Sequence, residues 1–175
     1  MNKQEIINAL YYSHQSFIEY LTGLSTDQYT FRNGAKWSAG QQLEHIILCV
    51  TPLVKVFGMD HSAIEQNFRM ATLPSLSYDA LVAKYIEKLQ QGGKAPERYE
   101  PEEQAALSGR ELSETLVQLV ATLCRRVEQF TEQQLDTFLI PHPLLGNLTF
   151  REMLYNAIYH VGHHAKMTKK NLEIE

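Results

Sequence analysis

The stretch Thr149-Phe150-Arg151-Glu152-Met153-Leu154-Tyr155-Asn156-Ala157-Ile158-Tyr159-His160-Val161-Gly162-His163-His164-Ala165-Lys166-Met167-Thr168-Lys169-Lys170-Asn171 decides how this chain folds. Phe150, Met153, Leu154, Ala157, Val161 and Ala165 recur every three or four residues, the period of a helix with one buried stripe. Thr149, with Glu152 three positions on, is a capping box that starts the helix. Lys166, Lys169 and Lys170 near its end complement the helix dipole. Three of the seven histidines of the chain lie here. His160 and His164 are spaced i,i+4, so they share a face at about 5–6 Å between Cβ atoms. Two imidazoles at that distance can share one divalent metal. His164 falls within the apolar arc and His160 at its edge, whereas His163 projects toward Glu152, Asn156 and Lys170 on the polar side. Each buried ring nitrogen needs a partner. A common cation meets that need, and a pair of hydrogen-bonded core histidines is the alternative.

The remainder of the chain reads as further helices joined by Pro- and Gly-containing loops, with no strand. The first helix is expected from about Lys3 to Leu24, on the spacing of Ile6, Ile7, Leu10, Tyr11, Phe17, Ile18 and Leu21. The second starts at the capping box Ser38/Gln41 and is apolar nearly all round, which marks a central, buried helix. Pro52 is expected to kink or end it. A short helix is expected within Asp60 to Met70, and a third long one from Ser77 to Gln91, stopped by Gly92-Gly93. An extended loop then leads to Ser108, which with Glu111 caps a helix running to Phe130. A turn at Thr131 to Leu135 and an irregular stretch, Ile140-Pro141-His142-Pro143, precede the last helix. Long helices with such connections suggest a four-helix bundle with one or two longer crossovers, in one domain spanning residues 1–175.

Composition narrows the function classes. Of 175 residues, 44% are hydrophobic and 21% charged, an ordinary globular balance. The net charge of −4, with no basic cluster beyond the last helical turn, gives no footprint for nucleic acid or an anionic membrane. No transmembrane span or signal-peptide core is visible. Cys49 and Cys124 read as reduced thiols inside helices. These features point to a cytoplasmic protein acting on a small molecule.

His45, in the second helix, is a weak signal alone and a stronger one beside the pair, because three histidines plus water form a familiar open metal site. Cys49 follows one turn later; it reads as a small buried hydrophobe, with a fourth-ligand role as the alternative. His14 faces either the core or the rim, His61 is expected to be exposed, and His142 is expected on a loop surface, with the lining of a pocket mouth as the alternative. Trp37 is placed to act as a hydrophobic staple before the Ser38 cap. Gly162 costs about 1 kcal/mol relative to alanine in a helix, which suggests close helix packing or room near a metal. Val161, not Glu, follows His160, so the His-Glu-x-x-His arrangement with its built-in base is absent. Glu44 points about 100° away from His45.

Trp37-Ser38, Gln41, Gln42 and His45, followed by His142-Pro143, Gly146-Asn147-Leu148-Thr149, His160 and His164, resemble the signature of the DinB/YfiT-like metalloenzyme family. The resemblance implies an all-α four-helix bundle, up-down-down-up, with a divalent metal (nickel, zinc, iron or manganese) held by His45, His160 and His164 and water completing the shell. It also implies a homodimer, a feature shared by many members. Members with known activity include thiol-dependent S-transferases and a mycothiol-dependent isomerase. The expected function is therefore metal-dependent activation of a low-molecular-weight thiol for transfer to an electrophile, as in detoxification. Metal-assisted hydrolysis through a bound hydroxide is a second reading, and a non-catalytic metal- or ligand-binding bundle a third.

Overall fold

The computed structural model describes residues 1–102 and 108–173. Four long helices carry the architecture: α1 (Lys3–Thr22), α3 (Ala39–Val56), α6 (Gly109–Glu128) and α8 (Phe150–Leu172). Each packs against two of the others, in the cycle α1, α6, α3, α8, which closes a four-helix bundle. The apolar stripes meet inside it: Ile6, Leu10 and Phe17 from α1, Leu43 and Ile46 from α3, Leu116 and Leu123 from α6, Phe150, Leu154 and Val161 from α8. Among the described residues no single helix is long and apolar enough to cross a membrane.

The helix starts follow the capping chemistry written in the sequence. Ser38 accepts from the Gln41 amide and Thr149 from the Glu152 amide, and the Gln41 and Glu152 side chains reach back to complete each box. Short helices fill the connections: α2 (Thr26–Thr30), α4 (His61–Asn67), α5 (Tyr78–Gln90) and α7 (Glu132–Thr137). Of these, α5 packs outside the bundle on α8. The extended loop expected before Ser108 contains a 3₁₀ turn at Glu97–Tyr99, and its residues 103–107 lie outside the described residues. Tyr29 at the end of α2 wedges between α3 and α6. A Cβ on Gly40 or on Gly109 would come within 2.7 Å of its ring, so a side chain at either helix start would push the Tyr29 ring aside.

Two expectations are corrected. Of the kink or end expected at Pro52, the end does not occur: the helix runs on to Val56 with Pro52 inside it. Leu53, within the helix, and Phe57, at its C-cap, are buried in the core, and that packing outweighs the one lost helical hydrogen bond. The chain also contains strands. β1 (Arg69–Met70), β2 (Phe138–His142) and β3 (Gly146–Thr149) form a small antiparallel sheet in the order β1-β2-β3. Pro141 is tolerated because β1 pairs only with Phe138 and Leu139, so the Pro141 side facing away from β3 has no ladder bond to supply. Gly146, at φ 79°, closes the hairpin in a backbone region that other residues rarely adopt. The hairpin ends directly at the Thr149 cap, which fixes where α8 begins and thus the height of its histidines in the bundle.

Candidate metal centre

His45 of α3 and His160 and His164 of α8 converge between the two helices, where they line one wall of a cavity of about 650 Å³. Their Nε2 atoms face each other. His160 Nε2 lies 3.0 Å from His164 Nε2 and 3.3 Å from His45 Nε2. Two imidazole nitrogens about 2.0–2.1 Å from a common ion, at angles of about 90° to 110°, are separated by about 2.9–3.4 Å. The side chains already stand at that spacing.

Hydrogen bonds on the far side of two rings set their protonation. His45 Nδ1 donates to the Tyr99 carbonyl at 2.6 Å, and His164 Nδ1 donates to Gln42 Oε1. A carbonyl only accepts, so each Nδ1 carries the proton and each Nε2 presents a lone pair to the centre. One proton on His160 Nε2 can satisfy one of these facing lone pairs, whereas a cation satisfies all three. Such outer partners are the usual companions of metal-binding histidines. Electrostatics agree. The loss of solvation on burial, and after it the neighbouring histidines, hold His160 and His164 well below the ordinary histidine value. Burial also lowers His45, with the Tyr99 carbonyl opposing it. All three are therefore neutral near pH 7 and available as ligands.

A family model, the DinB superfamily, matches residues 9–167. The chain belongs to the DinB superfamily. Its fold is similar to the crystal structure of TT2238, a four-helix bundle protein, with a TM-score of 0.60 at 18% identity over 96% of this chain and 98% of that one. Comparison with curated proteins gives no match.

Around the DinB triad the structure corrects several single-residue expectations. Trp37 is more than a staple: its ring lies 4.9 Å from that of His45 and stacks at 6.2 Å on that of His164, roofing the centre. His142 is not an exposed loop residue. It ends β2, lines the cavity, and its Nδ1 accepts from the Leu144 and Leu145 amides at 3.1 Å each, capping the hairpin turn. His14 is fully buried and lines the same cavity. His163 stays at the rim, against Tyr85 and Tyr159. Cys49 Sγ lies 3.7 Å from His45 Nε2 but outside the set of donor atoms that lie within 4.8 Å of one another. Burial pushes its thiol up to about 12, so it remains protonated. Gly162 does not serve close helix packing, since a Cβ there would meet nothing within 4 Å.

Gln42 was legible in principle, because it precedes His45 by three residues and so shares its helical face. The Tyr99 carbonyl carries no sequence signal at all. Among the described residues no Asp or Glu lines the cavity, while Lys55, Lys94 and Arg98 do. The walls are otherwise largely apolar, with Ile46, Leu53, Phe68 and Met153 among them.

Proposed function

We propose that this DinB protein is a metal-dependent transferase that activates a low-molecular-weight thiol for attack on a small electrophile. The observation that carries this reading is the convergence of three histidine Nε2 atoms at the wall of a roomy cavity that no Asp or Glu lines among the described residues. Hydrolysis of an unactivated bond calls for a base placed to activate water, and among the described residues no acidic side chain lines the cavity to act as one. A thiol is acidic enough to ionise beside a cation without such a base. A divalent cation, when bound, would supply the positive charge that favours the thiolate at neutral pH.

The chain's own residues would do the rest. His45, His160 and His164 would hold the cation, with Tyr99 and Gln42 fixing two of the rings. Trp37 and the apolar wall would exclude water from the nucleophile. The Lys94 and Arg98 side chains at the cavity lining would favour substrates with negative charge. The sulfur would displace a leaving group from the electrophile, which would depart with the bonding electron pair, while the thiol proton passes to solvent. In the absence of any span or basic surface, we take the partner to be a small molecule rather than a membrane or nucleic acid.

Metal analysis of tag-free protein tests the centre. One divalent ion per chain is expected in the wild type and less than a tenth of that in His160→Ala and His164→Ala. Unchanged metal content in both variants removes the basis for the reading. Incubation of metal-loaded protein with low-molecular-weight thiols and a haloarene or epoxide should then consume thiol and electrophile in equal amounts. A centre that binds metal but turns over no pair in a broad panel would mark a non-catalytic site.

A further inference from the structure

Two buried polar groups in the cavity have no partner among the described residues: His14 Nε2 and Asn156 Oδ1. Both residues are more than nine-tenths buried. An unpaired polar atom in such a place is costly, so its retention needs a reason. For His14 the tautomer is fixed. Its Nδ1 lies 2.8 Å from the Leu10 carbonyl one turn back on α1, and a carbonyl only accepts, so Nδ1 carries the proton. Nε2, on the opposite edge of the ring, points away from its own helix and offers a lone pair. Burial holds the ring down to about 4, which leaves that lone pair unprotonated near neutrality.

Asn156 can be read in the same way. His142 Nδ1 accepts two backbone hydrogen bonds, so the proton of the neutral ring sits on Nε2. That N–H faces the Asn156 amide at 3.2 Å and requires an oxygen there. Turning the amide over, an assignment that hydrogen bonding decides, pairs the Asn156 oxygen with His142. It also directs the Asn156 NH₂ group to the position where the unpartnered oxygen stood. The cavity then presents one acceptor and one donor, each unused by the fold.

We infer that His14 and Asn156 form a ligand-recognition subsite, separate from the three metal-binding histidines, that accepts a hydrogen bond from an N–H, O–H or S–H group of the bound molecule at His14 and donates one to an acceptor at Asn156. The ligand class is a small polar molecule carrying both a donor and an acceptor. His14 is not a member of the convergent metal-ligand set, so its part is recognition. This rests on the reading of the cavity as a substrate pocket.

Imidazole and 1-methylimidazole are suitable probes, because both bind metals through one nitrogen and only the first keeps a distal N–H. Zinc-loaded wild-type protein should bind imidazole about tenfold more tightly than 1-methylimidazole, the worth of one hydrogen bond. In His14→Phe the preference should vanish while zinc content is unchanged; in His14→Gln, which keeps an acceptor, it should persist in part. Nitrogen-15 NMR of labelled histidine should show an unprotonated His14 Nε2 that shifts on adding imidazole and not 1-methylimidazole. The same preference in wild type and His14→Phe, or a His14 resonance indifferent to imidazole, overturns the subsite and leaves the metal reading standing. If zinc does not bind, the metal reading fails separately, and the NMR titration of metal-free protein still decides the role of His14: a shift with imidazole supports it and none overturns it.

Discussion

Gln42 orients His164 through a side chain, and a side chain can be removed. Gln42→Leu keeps the volume and deletes the acceptor. His164 would then be free to rotate or to adopt the other tautomer, which places a proton where the centre needs a lone pair. Loss of such an outer partner typically weakens metal binding about 10–100-fold. Competition with a chelator of known affinity should show that loss in Gln42→Leu with the fold intact by circular dichroism; affinity equal to wild type would mean that packing against Trp37 alone fixes the ring. At this scale the sequence was legible where residues act as a set. His160 and His164 declare themselves by spacing, and His45 gains meaning beside them. His14 and His142 were not legible, because a lone histidine does not reveal whether its ring turns inward. That depends on helix rotation and on hairpin geometry, which are tertiary facts.

The elements follow capping and periodicity closely. Ser38, Ser108 and Thr149 each start a long helix with its box complete, as their Glu or Gln three residues later implied. The small sheet was hidden for a physical reason. Its strands are two to five residues long, and Pro141 and Pro143 give the region the composition of a loop. Within α8, Gly162 offers a clean test of helix energetics. It sits in the helix interior, and a methyl group there would touch nothing within 4 Å. Gly162→Ala should therefore stabilise the protein by about 0.5–1 kcal/mol through the chain entropy of the unfolded state. Urea unfolding should show a higher midpoint with an unchanged slope and with metal content as in wild type. A destabilised variant would contradict the open surroundings of Gly162.

Across the whole molecule, the N-terminus, α7 and α8 are tied by Arg151. Its guanidinium bonds Asp136 at 2.6 Å, Glu132 at 2.7 Å and the Met1 carbonyl at 3.0 Å. Burial opposes the Asp136 charge, but hydrogen bonds from Arg151 and Ser75 outweigh it and hold the carboxyl below its ordinary value; Glu132 is lowered first by the Lys3 amide. Burial likewise lowers His14 and His142 to about 4. The folded state therefore binds fewer protons than the unfolded chain in two successive ranges. Stability of the metal-free protein should be level above about pH 6.5. It should fall toward pH 4 as the unfolded histidines take up protons, and fall further below about pH 4.5 as the carboxylates do. Each group contributes up to about 1.4 kcal/mol per pH unit within its range. Urea midpoints measured at half-unit steps check this: His14→Phe should flatten the first decline and Asp136→Asn the second, and a wild-type midpoint constant from pH 7 to 5 would contradict it. The bundle itself was legible from helix lengths and stripes. Which four helices form it was not, because the expected third helix lies outside, on α8.

The Tyr99 carbonyl that aligns His45 belongs to the main chain of the 3₁₀ turn at Glu97–Tyr99, beside the cavity-lining residues Lys94, Pro96 and Arg98. A backbone anchor is indifferent to the identity of the side chain that bears it. Exchange of the side chains of that loop therefore leaves the alignment of His45 untouched. The reverse dependence also holds, because a displacement of the loop from the cavity would remove the acceptor that orients His45.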